Sequence, residues 1–308
     1  MERVAITPRS FRNTPGAHLD LLERSDLHPR FSDRDRLLTE VEMIVLVEGC
    51  SALIVGTDPV SRAVMEAGRL RAVVKFGSGT DNIDLGTAKE LKVAVETTAG
   101  ANARSVAELT IALLLALARH VGFHDRVVKA GLWGKRRSGV ELRGRRLGIV
   151  GLGAVGREVA SIANCLGMDV VAYDPAVGDA EVSTMDLETL LSTSDAVSLH
   201  APLTDDTRGL IDAGALKTMR RGAFLVSTAR GGIVDEDALT DALASGALGG
   251  AALDVFDHEP PEASPLFAVD NFIASPHAGA STIEAVERAG SQAVRRVLRL
   301  LGLREPQS

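Results

Sequence analysis

The stretch that most limits what this chain can become is residues 144 to 175, GRRLGIVGLGAVGREVASIANCLGMDVVAYDP. An apolar run from Leu147 to Val150 leads straight into Gly151, Gly153 and Gly156 in G-x-G-x-x-G spacing. Val155, Val159, Ile162, Ala163 and Leu166 then recur at helical intervals, and a second apolar run, Val170 to Tyr173, ends at Asp174. Strand, glycine turn, helix, strand and terminal acid stand in order, with the acid about 20 residues beyond the turn. This is a whole βαβ dinucleotide fingerprint, not a stray glycine-rich loop.

Each residue has a physical reason to be there. Gly151 permits the tight turn, Gly153 lets backbone approach a pyrophosphate, and Gly156 lets helix and strand pack closely. Ala154 and Val155 open a helix whose unpaired N–H groups attract phosphate. Asp174 can accept hydrogen bonds from both ribose hydroxyls of NAD, and its charge repels the 2′-phosphate of NADP. NAD is therefore the expected cofactor.

At 308 residues the chain has room for two domains. A net charge of −7, from 34 basic and 41 acidic residues, argues against nucleic acid or an anionic membrane as partner. Leu109 to Ala118, the most apolar segment, falls short of the roughly 20 residues a spanning helix needs. The opening MERVAITPRS lacks the apolar stretch of a signal peptide. Cys50 and Cys165 have neither metal-ligand nor redox spacing, so the expectation is a cytoplasmic protein with reduced thiols. No His, Cys, Asp or Glu grouping has metal-ligand spacing either.

Before the fingerprint, Val4 to Ile6, Ala52 to Val55, Arg71 to Val74 and Val93 to Val95 read as strands, with helices over Pro59 to Ala67 and Asp84 to Glu90. Residues 8 to 50 resist parsing. Asn102 to His120 reads as a helix apolar around most of its girth, hence buried on several sides. After the fingerprint, Ala196 to Leu199, Ala223 to Val226, Gly250 to Leu253 and Phe272 to Ala274 read as strands, alternating with helices near 186 to 192, 235 to 244 and 281 to 302. The alternation implies an α/β protein with two doubly wound, Rossmann-like or flavodoxin-like parallel sheets.

Open α/β sheets bind ligands beyond the carboxyl ends of their strands. There, Gly77, Ser78 and Gly79 in FGSGTDNID offer backbone N–H groups as an anion nest, a plain turn being the alternative. Later strand ends carry Arg230 in VSTARGGIVDEDAL, Glu259 in ALDVFDHEPP and His277 in ASPHAGAST. Singly, these suit a solvated turn, a surface acid and a structural histidine. Together they supply a carboxylate binder, a proton-exchanging imidazole and an acid to tune it. His200, after its strand, is a weaker candidate to line the cofactor site.

The chain resembles the D-isomer-specific 2-hydroxyacid dehydrogenases, and among them the phosphoglycerate dehydrogenase-like members without a regulatory extension. FGSGTDNID, GANARSVAELTIALLLALAR, GLGAVG with YDP, TARGGIVDEDAL, ALDVFDHEPP and SPHAGAST carry the resemblance, in the family's order across residues 75 to 282. It implies a substrate domain from residues 1–100 plus 283–308, with an NAD domain, 101–282, inserted. It implies a homodimer, with the helix from Asn102 in the interface region. By matching motifs, His277 becomes the acid/base, Glu259 its carboxylate partner, and Arg230 the clamp on the substrate's carboxylate and carbonyl. The backbone of Ser78 and Gly79 would hold that carboxylate, with Gly77 beside them in the substrate site. Ser78, Ala154, Val155, Asp174, Ala201, Thr228, Ala229, Asp254, Gly279 and Ala280 would line the NAD site with the glycine turn, Asp254 near the nicotinamide amide.

The implied activity is hydride transfer between nicotinamide and C2 of a small 2-hydroxy or 2-keto acid, with 3-phosphoglycerate/3-phosphohydroxypyruvate expected first. One departure counts against phosphate: Gly56, in ALIVGTDP, stands where those members usually carry an arginine. Lys135, Arg136 and Arg137 offer alternative positive charge for an anionic tail. Glyoxylate or hydroxypyruvate is the alternative substrate, and a non-catalytic NAD-sensing regulator the alternative of another class.

Overall fold

The computed structural model describes residues 2–34, 36–134, 136–177 and 182–306. The chain divides into two compact units, Met1–Asn102 with Ala280–Ser308, and Ala103–Gly279; the divisions read from the sequence fall at 100/101 and 282/283.

The first unit is built on five parallel strands, β1 (Glu2–Ile6), β2 (Leu27–Phe31), β3 (Ala52–Val55), β4 (Ala72–Lys75) and β5 (Ala94–Thr97), in the order β2-β1-β3-β4-β5. That is the flavodoxin-like winding, with its switch point between β1 and β3. β3 and β4 are buried at every residue, because a parallel sheet is covered on both faces. Val4, Ile6, Ile54 and Val74 pack beneath Ala293, Val294, Val297 and Leu298 of the C-terminal helix Ile283–Leu301. Leu53, Val55 and Val73 pack on the other side with Met43, Val64 and Met65.

β2 lies in the stretch that resisted parsing. It is an edge strand with exposed His28, Pro29 and Arg30, and proline at an edge removes a donor that no neighbour needs. The helix expected from Pro59 begins later, at Arg62, and runs to Gly68. Val60 instead bridges Ile83: its N–H donates to Asn82 O at 2.8 Å and its carbonyl accepts from Asp84 N at 3.0 Å. Long-range pairing outcompetes the local helical pattern there.

The second unit holds seven parallel strands: β6 (Arg146–Val150), β7 (Asp169–Tyr173), β8 (Ser183–Thr184), β9 (Ala196–Leu199), β10 (Phe224–Ser227), β11 (Gly250–Leu253) and β12 (Phe272–Ala274). Their order, β12-β11-β10-β9-β6-β7-β8, is the Rossmann winding with one strand added, and it reverses between β6 and β9. The helix Ala103–Ala118 and the dinucleotide helix Ala154–Cys165 share one face of this sheet, where Ile111, Leu114 and Leu117 meet Ile149, Val159, Ala163 and Val226. The other face packs Val150, Leu199, Leu225 and Leu253 against Leu190, Leu216, Leu239 and Leu243. Burial of ten of its residues explains the apolar girth of Ala103–Ala118. Among the described residues no single helix is long and apolar enough to cross a membrane.

Candidate active site

The glycine turn at the β6/β9 switch point is dictated by what surrounds it. Gly151 has φ +94°, and a Cβ there would lie 2.7 Å from Ala201 N. A Cβ on Gly156 would fall 2.1 Å from Gly151 O, so only glycine lets the dinucleotide helix start against β6. A Cβ on Gly153, in contrast, would meet nothing within 4 Å. No side chain caps the helix at Gly153, so its first N–H groups face space into which a pyrophosphate fits.

Asp174 closes this cradle. Its Oδ2 accepts from Leu152 N at 2.7 Å and its Oδ1 from Ala176 N at 2.9 Å. The carboxylate is thereby fixed at the end of β7, and each oxygen keeps a lone pair for a ribose hydroxyl. Open glycine, uncapped helix and tethered acid fit NAD.

Arg230, Glu259 and His277 follow β10, β11 and β12, and two of these side chains, His277 and Glu259, meet directly. His277 has a left-handed backbone, φ +52°, which a residue with a Cβ adopts at a cost. Its N–H donates to Asp254 O at 2.8 Å and Ser275 O at 3.1 Å. Its Nδ1 lies 2.7 Å from Glu259 Oε2, while Glu259 Oε1 accepts from Phe256 N at 3.1 Å. Burial pushes the Glu259 carboxyl up, but the His277 hydrogen bond and charge, the Phe256 N–H and the Arg230 charge together hold it below the ordinary glutamate value. Arg230 Nη1 donates to Ala229 O at 2.7 Å. A Cβ on the next residue, Gly231, would fall 2.0 Å from Phe256 O, so the arginine loop and the glutamate loop touch backbone to backbone.

Two acids hold these loops. Asp254 is 1% exposed; Oδ1 accepts from Ser275 Oγ at 2.6 Å and Ala278 N at 2.8 Å, and Oδ2 from Gly279 N at 2.8 Å. Expected beside the nicotinamide amide, it pins the loop that presents His277. Glu236, pushed up by burial, accepts from Asp257 N at 2.8 Å and braces the Glu259 loop. In the sequence Glu236 carries no signal beyond its place two residues after an apolar pair.

In the first unit, Gly77 has φ +133° and its N–H donates to Thr98 Oγ1 at 2.8 Å. That leaves the N–H groups of Ser78 and Gly79, not all three, to receive an anion. Lys75, unremarked in the sequence as a site residue, is 6% exposed, and its Nζ donates to Asn82 Oδ1 at 2.8 Å and to Gly56 O at 2.5 Å. A charge ending an otherwise apolar strand is the signal that could have found it. Ala280, expected at the NAD site, falls in this first unit, where its carbonyl accepts from Thr282 N at 3.0 Å.

Of the basic segment, Lys135 lies outside the described residues. Arg136 is exposed. Arg137 pairs with Asp270 at 2.8 Å and stacks 4.0 Å from the Phe123 ring centroid. Among the described residues no group of three or more His, Cys, Asp or Glu is placed to hold a metal.

The family model for the NAD binding domain of the D-isomer specific 2-hydroxyacid dehydrogenases matches residues 111–279. The chain is 41% identical over 289 residues to the hydroxypyruvate reductase of Thermotoga maritima, covering 92% of each. It is 38% identical over 274 residues to the D-3-phosphoglycerate dehydrogenase of Methanocaldococcus jannaschii, covering 85% of this chain and 52% of that one. The chain thus spans about half the length of the phosphoglycerate dehydrogenases it matches. Among solved structures, the TT0316 protein from Thermus thermophilus aligns with a TM-score of 0.91 at 37% identity, covering 99% of both chains.

Proposed function

The chain belongs to the D-isomer-specific 2-hydroxyacid dehydrogenases, and from that premise we propose that it reduces a small unphosphorylated 2-keto acid, hydroxypyruvate first, with NADH. The observation that carries the catalytic reading is the 2.7 Å contact between His277 Nδ1 and Glu259 Oε2, beside the charge of Arg230. When bound, NAD supplies hydride exchange at nicotinamide C4.

The residues do the rest. With Nδ1 held by a carboxylate, the proton-exchanging atom of His277 is Nε2, which donates to the carbonyl oxygen in reduction and withdraws the proton from the alcohol in oxidation. Arg230 binds the substrate carboxylate through its planar fork and stabilises the carbonyl oxygen as negative charge develops. Asp174 selects NAD over NADP.

For the substrate, Gly56 brings no charge to the end of β3, and the nearby Lys75 is engaged with Gly56 O and Asn82. Both favour an uncharged tail. A phosphorylated substrate, 3-phosphohydroxypyruvate, is the second reading; it rests on Arg136 and Arg137, the latter already matched by Asp270. NADH oxidation measured with hydroxypyruvate, glyoxylate and 3-phosphohydroxypyruvate, and repeated with NADPH, tests acid and cofactor together. A non-catalytic regulator would have no need of the His277–Glu259 pair.

A homodimer is part of the proposal. The helix Val121–Lys129 buries none of its residues, and Val121, Val128, Leu132 and Trp133 are exposed, Trp133 at 77%. Such a face asks for a second copy, and sedimentation velocity would report it. A cytoplasmic location accords with the free thiols of Cys50 and Cys165.

A further inference from the structure

A line of hydrogen bonds runs beneath the proposed dinucleotide site and ends on a histidine that the chemistry above does not use. Thr110, in the helix Ala103–Ala118, donates its hydroxyl to Val106 O at 2.9 Å. Thr110 Oγ1 also lies 2.9 Å from Thr228 Oγ1. Thr228 Oγ1 lies 3.5 Å from His200 Nδ1, and His200 Nε2 lies 3.1 Å from Ser198 Oγ. Thr110, Ser198 and Thr228 are buried, the first two at 1% exposure.

The proton count along this line follows from the Thr110 donation to Val106 O. A hydroxyl has one hydrogen to give. Thr110 spends its hydrogen on Val106 O, so at Thr228 it can only accept. Thr228 must then donate to Thr110, and has only a lone pair left for His200. His200 Nδ1 must carry the hydrogen, and a neutral ring leaves Nε2 to accept from Ser198. The ring is neutral because burial pushes its pKa down to about 3.

The line is also placed to matter. His200 N donates to Val150 O at 2.7 Å, at the tip of β6. A Cβ on Gly151 would lie 2.8 Å from the His200 carbonyl carbon, so this peptide and the glycine turn are in contact. Thr228, at the other end, is two residues from Arg230.

We infer that His200, as the neutral Nδ1–H tautomer, is a positioning residue that registers the loops after β9 and β10 to the helix Ala103–Ala118, and so shapes the face on which the dinucleotide lies. This rests on the NAD-binding reading of the glycine turn. His200 touches no reacting atom. Its loss weakens dinucleotide binding and spares turnover at saturation.

The test begins with the wild-type protein and needs no variant. Nitrogen-15 NMR of histidine-labelled protein at neutral pH should show one ring, assigned by comparison with His200→Asn, protonated at Nδ1 and bare at Nε2. In binding measurements by NADH fluorescence, His200→Phe should raise the dissociation constant about tenfold, the worth of one or two lost hydrogen bonds. His200→Asn keeps a donor near the Nδ1 position and should recover most of that loss, while kcat with saturating NADH stays within about threefold of wild type for both. Thr110→Val, which removes the anchor of the line, should broaden or reverse the tautomer signal. An Nε2–H ring in the wild type overturns the inference, and so does wild-type NADH affinity in a folded His200→Phe. If wild-type protein binds no NADH at all, the NAD-binding reading fails while the tautomer result stands alone.

Discussion

His277 and Glu259 lie 18 residues apart and meet at 2.7 Å, the imidazole Nδ1 on carboxylate Oε2. The contact exists because Asp254 ties down the loop after β12 and Phe256 N–H orients the glutamate. Glu259→Gln removes the charge that holds the ring, and turnover should fall on the order of 10²-fold with little change in NADH affinity. Steady-state kinetics alongside fluorescence binding measure both.

The same carboxyl carries a pH signature. Its folded value lies below the ordinary 4.5, so the folded state binds its proton less readily than the unfolded state does. The stabilisation is complete above that ordinary value and is lost as pH falls through the lower folded one. Urea unfolding followed through this acid window should show a shallower decline for Glu259→Gln than for wild type.

Asp174 holds Leu152 N, and in the proposed function it also accepts from the ribose hydroxyls. Asp174→Ala should weaken NADH binding about 10²-fold, as two charge-assisted hydrogen bonds are lost, and leave NADPH binding nearly unchanged or improved. Titrations with both nucleotides give the ratio.

Gly156→Ala places a methyl group 2.1 Å from Gly151 O. Backbone cannot yield there without parting the dinucleotide helix from β6. A stability loss of more than about 2 kcal/mol in urea unfolding, with loss of NADH binding, is expected.

His200 enters the stability curve with the opposite sense to an exposed histidine. Its ring stays neutral in the folded chain down to about 3, whereas an unfolded histidine protonates near 6.5. The unfolded state therefore binds the extra proton, and stability falls as pH drops from about 6.5, by at most about 1.4 kcal/mol per pH unit. Comparing unfolding at neutral and mildly acid pH, His200→Asn should lose that slope.

Much of this was legible in the residues themselves. Periodicity locates Ala52–Val55 and Gly250–Leu253 to the residue because buried parallel strands are uninterrupted apolar runs; Ala196–Leu199 and Phe272–Ala274 are located as well, although Ser198 interrupts the first and Ala274 is exposed. The fingerprint, from Leu147 to Asp174, lies within one βαβ unit, so its geometry follows from local order. What stayed hidden depends on partners far along the chain. β2 pairs at an edge through Pro29, Val60 bridges Ile83, and Gly77 N is claimed by Thr98. Thr110 looks like an ordinary helix residue until Thr228 is brought beside it, and Lys75 shows only a charge ending an apolar strand until Asn82 is brought beside it.

In the proposed mechanism His277 exchanges a proton with the substrate oxygen on a chain that binds NADH without it. The most direct measurement is NADH-dependent reduction of hydroxypyruvate by wild type and His277→Ala, with NADH affinity determined for both. A loss of kcat of about 10²- to 10⁴-fold is expected, with NADH affinity within about threefold. Turnover by His277→Ala at the wild-type rate would contradict it.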